Sequence, residues 1–150
     1  MNDDVLLLDN QFCFRFYTVS RLITKHYQPF LSKLGITYPQ YLVLMVLWEQ
    51  DNQPVNDIAK RLYLETNTVT PILQRMEKQK IVVRKRDKED QRKVIISLTA
   101  HGIELKEQAR TIPTAMANKV STGINQFFID NNAEAKRVLD QMIDELKETI

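Results

Sequence analysis

Residues 55–98 read VNDIAKRLYLETNTVTPILQRMEKQKIVVRKRDKEDQRKVIISL, and a change of hydrophobic period inside this stretch decides the fold. The opening VNDIAKRLYL puts Val55, Ile58, Ala59 and Leu62 on one face of a short helix. After a break at LET, the segment NTVTPILQRMEKQ puts Val69, Ile72, Leu73 and Met76 on one face of a second helix. From Ile81 the pattern alternates, with Val94, Ile96 and Leu98 on one side of a second strand and a charged turn around Asp87 to Gln91. Two short helices joined by a tight turn, then a basic β-hairpin, make a winged helix-turn-helix.

Working outward, TYPQ reads as a helix start, with Thr37 as N-cap and Gln40 in the capping-box position. The following YLVLMVLWEQ is almost wholly apolar, which predicts a helix buried on most sides and ended by DNQP. Upstream, apolar residues recur at helical spacing from Leu6 to Leu34 in two stripes. Leu6, Cys13, Tyr17, Tyr27, Leu31 and Leu34 form one, and Phe12, Phe16, Val19, Ile23 and Phe30 the other. A helix apolar on two faces needs two partners, and its own subunit and a second copy of the chain are the candidates. Pro29 predicts a kink or break near Tyr27 and Gln28, and Gly35 a stop. Downstream, Thr99 caps a helix running through Ala109, Pro113 bends or interrupts it, and Asn132 caps a last helix carrying Ala135, Val138, Leu139, Met142 and Leu146.

The expected fold class is therefore mainly α with a small β-hairpin, formally α+β, in one domain over residues 1–150. Residues 37–99 form the winged lobe, and residues 1–36 and 100–150, approximately, supply dimerisation helices. A chain of 150 residues can bury a useful core. No apolar run approaches bilayer length, and MNDDVLLLDN carries acid where a signal peptide carries base, so a cytosolic location, with no membrane partner, is expected. One cysteine allows no internal disulfide, and two scattered histidines, His26 and His101, make no metal cluster; neither metal nor cofactor is expected.

Charge is segregated. Residues 61–93 hold ten basic side chains against five acidic ones, net +5 in a chain of net +2. From charge alone, a polyanion-binding face and a solvated loop are equal readings. The helix pair favours double-stranded DNA. The second helix would enter the major groove and present Thr66, Asn67, Thr68, Thr70, Gln74 and Arg75, with Pro71 in its first turn, where a missing N–H costs little. The hairpin tip offers Arg86, Lys88, Arg92 and Lys93 to phosphate or the minor groove, Arg92 foremost. Arg84 and Asp90 complete the candidate set.

KRDKEDQRKVIISLT (85–99) resembles the wing signature of the MarR family: an acid, a spacer and an arginine (Asp90, Arg92), then a strand ending in Leu98-Thr99. LDNQFCFRFY (8–17), GITYPQYLVLMVLWE (35–49), LYLETNTVTPILQRME (62–77) and RTIPTAM (110–116) are similar to the organic hydroperoxide resistance regulators of that family. The resemblance implies a homodimeric repressor whose reduced form binds an inverted repeat and is released when a cysteine is oxidised by organic hydroperoxide. By position Cys13 is that cysteine, Tyr27 and Tyr38 match tyrosines that hydrogen-bond its sulfur across the dimer, and Tyr17 matches another nearby. The family has a branch with a second, resolving cysteine; this chain resembles the one-cysteine type, whose sulfenic acid meets a small cellular thiol or oxidises further.

The residues themselves leave Cys13 open. A lone thiol between Phe12 and Phe14 fits inert packing, and spacing alone brings only Tyr17 near it. Two other classes of function stay in view: a winged-helix repressor released by a small aromatic or phenolic ligand, with Cys13 structural, and a thiol peroxidase. The second lacks a resolving cysteine and an alternating strand–helix pattern. Lys80 stands where many relatives have a turn glycine; if that position needs positive φ, lysine costs about 1 kcal/mol.

Overall fold

The computed structural model describes residues 3–119 and 131–149. Helices α1 (Phe12–Leu31), α2 (Tyr38–Glu49), α3 (Val55–Arg61), α4 (Thr66–Lys78) and α5 (Ala100–Ala109) share one compact unit, through Arg110, with strands β1 (Gln53–Pro54), β2 (Val82–Arg86) and β3 (Val94–Leu98). A second unit, from Thr111, holds α6 (Ile112–Lys119) and α7 (Asn132–Glu148). No single described helix is long and apolar enough to cross a membrane.

The core is built around α2. Six of its twelve residues are buried, Gln40, Tyr41, Val43, Leu44, Val46 and Leu47, as its unbroken apolar run requires. Ile58 of α3, Val69, Leu73 and Met76 of α4, Ile81 in the turn that follows, Val82 and Ile96 of the sheet, and Leu105 of α5 complete the packing. Ile72 and Leu62, expected inside, lie at the margin and are only half-buried.

The hairpin gains a third strand that alternation could not reveal. β1 has only two residues; Gln53 pairs with Ile96 and Pro54 with Ile95, giving the antiparallel order β1-β3-β2. Proline tolerates this edge position because it lacks only a donor. Asp51 accepts the Leu98 N–H at 2.9 Å and anchors the end of β3.

Three helix ends in this unit close with the same turn, a residue at positive φ whose neighbours return their N–H groups to the last carbonyls. At the end of α1, Gly35 (φ 68°) lets Ile36 N–H reach Leu31 O at 3.1 Å. After α3 the left-handed residue is Tyr63 (φ 54°), and after α4 it is Lys80 (φ 58°), with Ile81 N–H on Met76 O at 2.9 Å. Lys80 therefore carries the backbone cost expected of a non-glycine there. Buried Met76 and Ile81 bracket the turn, and the Thr99 hydroxyl donates to Lys80 O at 2.7 Å, which holds the strained residue in place.

Several boundaries differ from the sequence reading. α1 begins at Phe12, not Leu6, because Leu7 and Gln11 are extended. The preceding turns (Asp3–Leu6 and Leu8–Asn10) are tied by side chains, Asn10 Nδ2 to Asp4 O at 2.7 Å, Gln11 Nε2 to Val5 O at 2.6 Å and Arg15 to Asp9 O at 2.6 Å. Pro29 does not break α1, which continues to Leu31. Pro71 is the sixth residue of α4, in the second turn and not the first, because Glu65 O already accepts the Thr68 and Val69 N–H groups and starts the helix at Thr66. α7 is preceded by Asn131, one residue before the expected cap.

Candidate nucleic-acid interface and sensor helix

α3 and α4 present the candidate recognition surface. The buried face of α4 (Val69, Leu73, Met76) fixes the opposite face outward, and Thr66, Asn67, Thr68, Gln74 and Arg75 are exposed there, with Pro71 beside them and Thr70 half-buried. Thr70 Oγ1 donates to Thr66 O at 2.7 Å, and Thr66 Oγ1 to Asn56 Oδ1 at 3.1 Å, so these hydroxyls are held in position with acceptor capacity left over. Asn56, on α3, escaped the sequence reading; it stands opposite Thr66 only because the two helices cross.

The wing is a structured tip. Asp87 Oδ1 accepts the N–H groups of Glu89 (2.8 Å) and Asp90 (2.9 Å), and these bonds hold its carboxyl below the usual carboxylate range. Asp90 accepts both Arg92 Nε and Arg92 N–H at 3.1 Å; its carboxyl is also lowered, chiefly by the Arg92 side chain. The acid–spacer–arginine motif is thus a clamp that aims a guanidinium whose side chain remains 92% exposed. Arg86 donates to Gln91 O at 2.9 Å across the loop, and both Arg86 and Lys88 are exposed. Arg84 stands apart from the tip: its side chain is largely covered and lies 3.5 Å from Glu77 of α4, linking wing to helix. Between recognition helix and wing runs a cleft of about 230 Å³ lined by Asn56, Thr66, Thr70, Arg84, Arg92 and Lys93. Hydroxyls on one wall and cations on the other suit an anion.

α1 is different. Of its twenty residues only Leu31 is buried, and Phe12, Phe16, Tyr17, Val19 and Ile23 are exposed. Cys13 is exposed in the single chain too, beside the edge-to-face pair Phe12–Phe16 with centroids 5.1 Å apart. Tyr17 is one turn along on the same face. Tyr27 and Tyr38 form an aromatic cluster with Tyr41, the rings of Tyr27 and Tyr38 5.0 Å apart and Tyr41 6.1 Å from Tyr27. Burial, then the neighbouring Tyr27 phenol, raises the Tyr38 pKa, so its hydroxyl stays a donor at neutral pH. Cys13 and Tyr27 share one continuous helix fourteen residues apart, about 21 Å along its axis, so within one chain they do not meet.

Helix pair, recognition helix and clamped wing define a winged-helix transcriptional regulator. The family described as Transcriptional regulator SarA/Rot matches residues 25–109. An organic hydroperoxide resistance transcriptional regulator of Bacillus subtilis is 52% identical over 110 residues, 73% of this chain and 75% of that one. A structure of reduced AbfR of Staphylococcus epidermidis bound to DNA superposes with a TM-score of 0.76 at 38% identity, covering 95% of this chain and 94% of that chain. A complex of Staphylococcus aureus MepR with DNA gives a TM-score of 0.79 at 30% identity, over 91% and 98% of the two chains. The chain belongs to the MarR family of transcriptional regulators, in the group of the organic hydroperoxide resistance regulators.

Proposed function

We propose that the protein is a homodimeric repressor that binds an inverted-repeat operator in double-stranded DNA and leaves it when organic hydroperoxide oxidises Cys13. The DNA-binding half rests on the exposed polar face of α4, the clamped Arg92 and the cation-lined cleft. One observation carries the sensing half: an exposed thiol at one end of an uncovered helix, with a tyrosine cluster some 21 Å away at the other. Two such helices crossing antiparallel about a two-fold axis would bring each Cys13 to the partner's tyrosine pair. In this reading residues 1–36 and 100–150 make the dimer and residues 37–99 read DNA.

The chemistry is stoichiometric. The Cys13 thiolate attacks the distal peroxide oxygen, the O–O bond breaks, and the departing alkoxide takes a proton and leaves as alcohol; sulfur is oxidised to sulfenic acid and the peroxide reduced. The only cysteine in the chain is then spent, so the sulfenic acid condenses with a low-molecular-weight thiol, releasing water, or is oxidised further. Crowding in the interface would shift the half-site spacing that both recognition helices need.

Fluorescence anisotropy on a labelled duplex from upstream of its own gene tests this, before and after one equivalent of organic hydroperoxide, with Cys13→Ser alongside. Loss of binding in the wild type alone is the expected result; binding that survives oxidant, small thiol included, sinks it. A second reading has its own observation: a cavity of about 390 Å³ between α1 and α2, with apolar Leu31, Ile36 and Tyr38 inside and Arg21 and Lys25 at its rim. It fits a small aromatic anion whose binding would release DNA with Cys13 a bystander, and such a ligand would release Cys13→Ser as readily as wild type.

A further inference from the structure

Gln40 is the one polar side chain among the buried residues described, 4% exposed. A capping box explains half of its bonding: Gln40 Oε1 accepts the Thr37 N–H at 2.9 Å. Its amide nitrogen points the other way and donates to Gln79 Oε1 at 2.7 Å. Gln79, the C-cap of α4, in turn donates through Nε2 to Gly35 O at 3.1 Å. Two amides thereby close a ring joining the corner between α1 and α2 to the last turn of the recognition helix. Both ends of the ring are left-handed turns, Gly35 itself and Lys80 directly after Gln79. Tyr38 of the aromatic cluster is the residue after the capped Thr37.

We propose that Gln40 and Gln79 are positioning residues for DNA binding, through which a displacement of the α1–α2 corner moves the C-terminal end of α4. This rests on the reading of α4 as the DNA-reading helix, and it deepens that reading by naming the connection that a sensing event at the corner would use. The buried Gln40 amide makes a good link because leaving either of its ends unpaired is costly, which holds Gln79 against the start of α2, and the exposed Gln79–Gly35 bond completes the connection.

Two substitutions isolate the link. Gly35→Ala strains the corner at φ 68°, and a Cβ there meets nothing within 4 Å, so it adds strain without a clash. Gln79→Glu still accepts from Gln40 Nε2 but cannot donate to Gly35 O, so it opens one bond and leaves the buried amide satisfied. Operator affinity of the reduced full-length protein is measured for each variant and for the pair. Gly35→Ala is expected to weaken binding about five- to ten-fold in the wild-type background and less than two-fold in Gln79→Glu. A merely structural role would lower thermal stability yet leave the Gly35→Ala factor equal in both backgrounds, and that equality, or no effect of Gly35→Ala at all, overturns the proposal. Amide exchange at Lys80 and Ile81, whose N–H groups bond Glu77 O and Met76 O, is read on the same proteins without DNA. Faster exchange on Gly35→Ala, abolished by Gln79→Glu, supports the link even if the duplex is not bound, which would be the failure of the DNA reading; unchanged exchange refutes the link.

Discussion

Helices α1 and α2 are consecutive and both rich in apolar side chains, yet they put them in different places. α2 hides six of twelve residues inside its own chain, whereas α1 hides one of twenty. The difference follows from what faces them. α2 is surrounded by α3, α4 and α5, while α1 touches its own unit through its C-terminal end, where Leu31 enters the core. Apolar side chains thus mark two kinds of surface, a folded core and a face left for something else, and stability measurements separate them.

The largest effect is expected at the centre of the lobe. Leu44→Ala on α2 removes a fully buried side chain and should cost about 2–5 kcal/mol in urea denaturation, independent of protein concentration. Next comes Gly102→Ala. A Cβ there would lie 2.3 Å from Ile81 O, so the start of α5 and the Lys80–Ile81 turn must separate, with a loss of about 1–3 kcal/mol in the same assay. Lys80→Gly should go the other way, relieving positive φ and stabilising the lobe by up to about 1 kcal/mol, read as a higher Tm. Ile23→Ser on α1 should cost the isolated chain least, below about 1 kcal/mol, because Ile23 is already exposed. Its effect should appear in sedimentation equilibrium as a shift from dimer to monomer. A concentration-independent loss as large as that of Leu44→Ala would erase the contrast between the two helices.

Much of the lobe was legible because its signals are local. The Thr37–Gln40 capping box, the inward Val69, Leu73 and Met76, the alternation of β3 and the Thr99 cap each follow from spacing within a few residues. Other features rest on a partner distant in sequence, and spacing alone did not show them. β1 is too short to show a period, and Asp51 is defined by the Leu98 N–H. Arg84 is set by Glu77 on α4, and Gln40 proved to hold Gln79 as well as its own cap. At the candidate site, the polar face of α4 and the cationic tip with Arg92 were readable from the residues, and Asp90 entered only with the family motif, whereas the Asp90–Arg92 clamp, Asn56 and the cleft it lines were not legible.

By itself, then, the sequence determined the winged helix-turn-helix, its basic wing and the family, since periodicity, caps and a contiguous motif need only neighbouring residues to act. Only the tertiary structure decided that Cys13 is exposed, that the tyrosine cluster lies a helix length away, and that two glutamines stitch the corner of α1 and α2 to the end of α4. The physical reason is that hydrogen bonds and ring contacts depend on distance in space, and a chain that folds back on itself brings residue 40 to residue 79 while a straight helix holds residues 13 and 27 apart.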